Sequence, residues 1–253
     1  MKRIMLVTAY DGTNYHGSQI QNNGETIEGV LNEKLTELLN EEIHVIGASR
    51  TDAGVHARGN VFVFDTESRI PPEKFTFALN ARLPEDIRIQ SSMEVTPDFH
   101  PRHQYTVKTY EYRILNRKLP LPEYRFSTHF TYETLDVGKM QEACRYFVGE
   151  HDFASFCAAG AQVESTVRTI YDLRVEKNGE LLSIFVTGNG FLYNMVRIIA
   201  GTLLRVGSGQ ILPKEVEKII AGRDRSLAGP TAPAKGLTLV EIRYPALEKT
   251  AKL

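Results

Sequence analysis

Apolar residues dominate between Arg3 and Tyr10, and the Asp11-Gly12-Thr13-Asn14 cluster behind them has turn composition, so the chain opens on a strand. From Thr26 the period changes. Ile27, Val30, Leu31, Leu35, Leu38 and Leu39 recur at helical spacing, with Thr26 placed as a cap and Glu28 near the positive end of the helix dipole. Apolar runs over 43–48 and 60–64 predict two strands around a loop, Pro72 opens a short helix, and a further strand is expected near Ile87.

In Val107–Leu115 one face carries Val107, Thr109, Glu111, Arg113 and Leu115 and the other Lys108, Tyr110, Tyr112 and Ile114, a strand with few polar interruptions on its second face. Val137, Met140, Cys144 and Phe147 share one side of a helix expected over 136–147. Strands over 167–175 and 181–186 lead through Gly188-Asn-Gly190 to a helix from Phe191 to about Arg205. A short helix from Pro213, a Gly/Pro-rich loop over 229–236 and a last strand over 237–243 complete the pattern. This mixture predicts an α+β protein of two domains with similar element order, 1–104 and 105–253, whose mostly antiparallel sheets are flanked by helices.

The length of 253 residues and a hydrophobic fraction of 42% suffice for one large or two modest cores. With 30 Lys+Arg against 31 Asp+Glu the chain is nearly neutral, which gives no support to a wholly basic nucleic-acid-binding body but leaves room for a local basic cleft. Cys144 and Cys157 lie far apart and outside any ligand cluster, so neither a zinc site nor a disulfide framework is expected. The first ten residues fall short of a signal peptide and no apolar run approaches a membrane span; a reduced, cytoplasmic protein with no membrane partner is expected.

The stretch Gly47-Ala-Ser-Arg-Thr-Asp-Ala-Gly-Val-His-Ala-Arg-Gly59 places an arginine and an aspartate among small residues where a strand ends. Arg50 and Asp52 are two apart and in an extended loop can point into one cleft, where the cation would keep the carboxylate ionised for work as nucleophile or base. Loop aspartates also serve turns and caps, and the residues alone leave that alternative open. On the helix after Gly190, Leu192, Met195, Val196, Ile199 and Leu203 form an apolar stripe while Tyr193, Arg197 and Gly201 lie on a separate line. Gly201 lowers helix propensity, which suits close approach of another backbone or of a ligand, or helix-helix packing. Gly188-Asn-Gly190 lacks the third glycine of a dinucleotide loop, and His100 and His103 are too few for a metal site, so no metal is expected.

Four motifs in order, Arg50-Thr-Asp-Ala-Gly-Val-His56, Phe99-His-Pro-Arg102, Lys108-Thr-Tyr-Glu-Tyr112 and Gly190-Phe-Leu-Tyr-Asn-Met-Val-Arg197, resemble the tRNA pseudouridine synthase A family over nearly the whole chain. The resemblance implies the pseudouridine synthase fold around a central basic cleft, a homodimer, no cofactor, and isomerisation of uridine to pseudouridine in the tRNA anticodon stem-loop at positions 38, 39 and 40. By motif, Asp52 matches the essential aspartate and Arg50 the basic residue that replaces the target base in the stack. Tyr110 matches the tyrosine against the target base, and Arg197 the arginine paired with the aspartate. Leu237, after Lys235-Gly236, matches the pocket-closing segment that touches uracil, and Phe99, His100, Pro101, Arg102 and His103 match the loop that assists flipping.

Within that frame the basic residues over 97–118, Arg102, Lys108, Arg113, Arg117 and Lys118 against Asp98 and Glu111, give 5 − 2 = +3, an expected phosphate-binding face. The competing readings are a non-catalytic tRNA-binding or RNA-folding module using the same cleft, and a metal-dependent nuclease, for which clustered carboxylates are lacking.

Overall fold

A computed structural model describes residues 1–22, 24–160 and 163–250. Along the chain run β1 (Lys2–Tyr10), α1 (Ile27–Leu39), β2 (Ile46–Gly47), β3 (His56–Thr66), α2 (Phe75–Asn80), β4 (Ile87–Val95) and β5 (Val107–Asn116). Then follow β6 (His129–Thr131), α3 (Val137–Cys144), β7 (Gly149–Asp152), β8 (Val167–Asn178), β9 (Leu181–Gly188), α4 (Met195–Gly207), α5 (Glu215–Gly222), β10 (Leu237–Arg243) and α6 (Pro245–Thr250). The protein is α+β, with mostly antiparallel strand pairs and a parallel pairing of β5 with β6.

Two compact units divide the chain, one of Met1–Tyr105 with the segment from Leu239, the other of Thr106–Thr238. This differs from a second domain running over 105–253: the chain returns to the first unit in its last strand, where β10 lies beside β3. Strand pairing across most of the sequence length is set by long-range hydrogen bonding, which no local pattern encodes.

In the first unit the strand order is β4-β1-β3-β10, with β2 also on β3. Helix α1 starts where expected because the Thr26 hydroxyl accepts from the Gly29 amide at 3.2 Å. It buries Ile27, Val30, Leu31 and Leu35, and Phe64 meets Phe75 edge to face at 5.4 Å in the same core. The strand expected over 43–48 is reduced to Ile46–Gly47. The Val45 amide is taken instead by the Asn32 side chain at 2.7 Å, and that of Ile43 by Thr36 Oγ1 at 3.2 Å, so these residues leave the ladder.

The second unit orders its strands β5-β9-β8-β7, with β6 along β5. Asp136 caps α3 through the Lys139 amide at 3.1 Å, and Met140, Cys144 and Phe147 are buried as their spacing predicts. The apolar stripe is wholly buried, Leu192 just before α4 and Met195, Val196, Ile199 and Leu203 within it. Helix α4 begins at Met195 rather than at Phe191, because Asn194 takes a left-handed backbone (φ 59°) that no helix interior accommodates. Among the described residues no helix is long and apolar enough to cross a membrane.

Candidate active site

Asp52 sits half-buried on the loop between β2 and β3, and that loop is tied down on both sides of it. The Thr51 amide donates to Ser18 Oγ at 2.9 Å, its carbonyl accepts from the Ser18 amide at 3.0 Å, and its hydroxyl lies 2.8 Å from the Tyr10 hydroxyl. Asn60, fully buried on β3, donates to both Tyr10 Oη and the Ser49 carbonyl at 3.0 Å. After the aspartate the chain reverses in a turn closed by the Val55 amide on the Asp52 carbonyl at 3.1 Å, and Gly54 takes φ +76° there. A buried polar network that satisfies its members in this way leaves the loop little freedom. His56 follows the turn as a buried hydrogen-bonding residue, its Nδ1 accepting from the Gly12 amide at 3.1 Å.

Arg50 is exposed, whereas Glu28, read from the sequence as a dipole residue, is buried beneath this loop. One Glu28 oxygen accepts from the Ile20 amide at 3.2 Å, and Arg102 Nε donates to the neighbouring Gly47 carbonyl at 2.9 Å. Burial raises the Glu28 pKa above its ordinary 4.5, against the opposing pull of the Ile20 amide, Arg102, the Gly47 amide and Arg50. Since the folded state then binds this proton more tightly than the unfolded chain, the carboxyl's contribution to stability is full below pH 4.5 and is lost as pH rises through its folded pKa. An NMR titration of the Glu28 side chain is expected to give a midpoint above 4.5; a midpoint at or below that value contradicts the burial argument.

The loop over 99–103 divides in two. Phe99 (5% exposed) packs edge to face on Tyr244 at 5.2 Å, and the buried Pro101 offers its carbonyl to the Tyr244 hydroxyl at 2.9 Å. These two anchor the loop, and His100, Arg102 and His103 are its more exposed part. The two imidazoles stack at 3.8 Å, and the His100 pKa is lowered by burial and then by the positive charges of His103, Arg102 and Arg3.

Tyr110, on β5 and 6% exposed, is T-shaped to Phe191 with ring centroids 5.2 Å apart. Two residues along the same face, Tyr112 is fully buried, donates to the Pro233 carbonyl at 3.0 Å, and has its phenol pKa raised by burial against the opposing charge of Arg197. Arg197 is half-buried on the first turn of α4. Its Nε donates to the Ala232 carbonyl at 2.7 Å and its Nη1 to Asn194 Oδ1 at 2.7 Å, while the Ala232 amide returns a bond to the Arg197 carbonyl at 3.1 Å.

The Gly/Pro-rich segment 229–237 is therefore a pinned strap that leads to the buried Leu237. Gly201 lets the strap close on α4: a Cβ there would lie 1.8 Å from the Pro230 carbonyl oxygen. Of the readings the sequence left open, approach of another backbone is the one realised. Thr202 Oγ1 takes the Gly229 amide at 2.9 Å, and Arg225 holds the Gly229 carbonyl at 2.9 Å. The sequence reading gives Thr51 and Thr202 no role of their own, Glu28 only a dipole role, and Tyr112 and Asn194 only a place within motifs; for Thr202 the signal was a hydroxyl amid an apolar helix stripe.

The charge counted over 97–118 does not form one patch. Lys108 and Arg113 point to opposite faces of β5 by strand alternation, and Arg117 is paired with Glu180 at 3.3 Å. Both cysteines are free thiols, and among the described residues no group of three or more His, Cys, Asp or Glu side chains is placed to hold a metal.

The family model described as tRNA pseudouridine synthase matches residues 6–104 and 143–245. The chain is 51% identical over 245 residues to the tRNA pseudouridine synthase A of Ruminiclostridium cellulolyticum, 49% to that of Brevibacillus brevis and 47% to that of a Thermoanaerobacter species, in each case over 96% of this chain and 100% of the relative. On these matches the chain belongs to the tRNA pseudouridine synthase family.

Proposed function

We propose that this protein isomerises uridine to pseudouridine in the anticodon stem-loop of tRNA, with Asp52 as the catalytic carboxylate and without a cofactor. The observation that carries the reading is a half-buried aspartate on a heavily hydrogen-bonded loop, in a chain of this family. The reaction breaks the bond from uracil N1 to C1′, turns the base in place, and forms a bond from C5 to C1′. The C5 hydrogen leaves as a proton and N1 gains one. Such chemistry asks for a carboxylate held still beside the sugar, acting on C1′, on uracil C6 or on the C2′ proton, and for a pocket that retains a detached base.

Flipping the nucleotide out of its stack costs about a few kcal/mol. Stacking on Tyr110 returns about 1–3 kcal/mol, Arg197 orients the carboxylate, and Leu237 closes the pocket over uracil. His100, Arg102 and His103 meet the RNA backbone, with Arg50 filling the space the base leaves. Two copies of the chain act together as a homodimer in this reading.

The test is incubation of the purified protein in EDTA with tRNA carrying tritium at uridine C5. Pseudouridine formation releases the label; a binding module releases none, and a nuclease shortens the RNA. In the same assay Tyr110→Phe is expected to retain tRNA affinity and part of the activity, because the phenyl ring keeps the stacking surface. A loss of binding as large as that of Tyr110→Ala would remove the stacking role.

A further inference from the structure

We propose that Asn194 is a positioning residue for the reaction, setting the aim of Arg197 from a backbone conformation held for that purpose. The inference rests on Arg197 belonging to the site. Asn194 stands at the N-cap of α4, where an asparagine side chain ordinarily accepts a bond from an amide of the first turn. Here it caps nothing: its backbone is left-handed at φ 59°, the Ile198 amide bonds its carbonyl at 2.9 Å, and its Oδ1 goes to Arg197 Nη1 at 2.7 Å. The assignment of the amide oxygen is unambiguous, since a guanidinium has donors only.

Asparagine enters this region more readily than other residues with a Cβ, so the residue type suits the conformation, and residues in sparsely populated conformations recur at functional sites. With Nε on the Ala232 carbonyl at 2.7 Å, the guanidinium is fixed at two points, and a planar fork fixed at two points has its plane and direction set. The anchors differ in kind. Ala232 ties the fork to the strap, and Asn194 ties it to the start of its own helix, so together they hold Arg197 relative to two elements of the second unit.

The experiment separates aim from fold. Asn194→Gly accepts the left-handed backbone without strain but removes Oδ1, whereas Asn194→Ala removes Oδ1 and also strains the backbone. Both variants of the full chain are assayed by tritium release for kcat and KM and by thermal melting. The expected result is a fall in kcat of about tenfold in both, the effect of one charge-assisted hydrogen bond, with KM for tRNA within about twofold. The melting temperature is expected to fall further in Asn194→Ala than in Asn194→Gly, because only alanine strains the left-handed backbone.

Wild-type kcat in Asn194→Gly overturns the proposal, as does activity that follows melting temperature across the pair. In single-turnover assays Asn194→Gly is expected to cost nothing further once Arg197→Met has removed the fork; full additivity overturns the proposal. Wild-type activity in Arg197→Met itself overturns the placement of Arg197 in the site, a failure distinct from that of Asn194.

Discussion

Asp52→Ala is expected to lower the release of tritium from uridine C5 by about a thousandfold or more, the scale on which enzymes lose rate when an essential reacting group is removed. Affinity for tRNA is expected to stay within a fewfold of wild type. The reason for the split lies in the loop. Its shape is held by Thr51 on Ser18 and Tyr10, by Asn60 on Ser49 and by the turn at Gly54, none of which uses the Asp52 carboxylate. Those bonds remain in Asp52→Ala, so the expected loss is chiefly of chemistry. Phosphate contacts supply most of the affinity for nucleic acid, and in the proposed reading they come from other side chains. Release assays paired with anisotropy on labelled tRNA check both halves: substantial turnover by Asp52→Ala ends the catalytic assignment, and a collapse of binding with lost turnover means that the loop has moved.

Gly201→Ala is expected to destabilise the protein by about 1–3 kcal/mol and to lower kcat, although it places a better helix former in α4. Two effects compete. Alanine in place of glycine in a helix interior gains about 1 kcal/mol of propensity. Against this, the new methyl would stand 1.8 Å from the Pro230 carbonyl oxygen, so either the strap or the helix has to shift. Backbone on both sides leaves no flexible side chain to yield, and the clash wins.

The shift would be felt along the strap at Ala232, where Arg197 is anchored, and at Pro233, where Tyr112 is bonded. Activity and stability should therefore fall together, unlike the pattern expected for Asn194→Gly. Urea denaturation and the release assay on the same preparation test this; a variant as stable and as active as wild type would mean that the strap is not held by this contact.

The elements with strong periodicity were legible without coordinates. The Thr26 cap, the buried faces of α1 and α3, the alternation of β5 and the stripe on α4 follow from spacing that any packed helix or strand must satisfy. The loop bearing Asp52 and the line carrying Arg197 were visible as chemistry out of keeping with their surroundings. That Phe99 and Pro101 pack on Tyr244 was not legible, because composition cannot say which residues of a loop find a partner in a segment far along the chain. Glu28 does lie in the first turn of α1 as its position in the sequence indicated, but its burial was not legible, since only tertiary packing buries an acid there.

By itself the sequence determined the class of fold, the positions of its main helices and strands and, through its motifs, the family and the reaction, because these depend on neighbours in the chain. Tertiary structure alone decided the return of β10 to the first unit, the course of the strap along α4, and the turning of Asn194 from capping a helix to holding an arginine. Those features join backbone or side-chain atoms through hydrogen bonds and steric fit, and which of several competing partners a polar group takes is fixed only when the surrounding elements have packed.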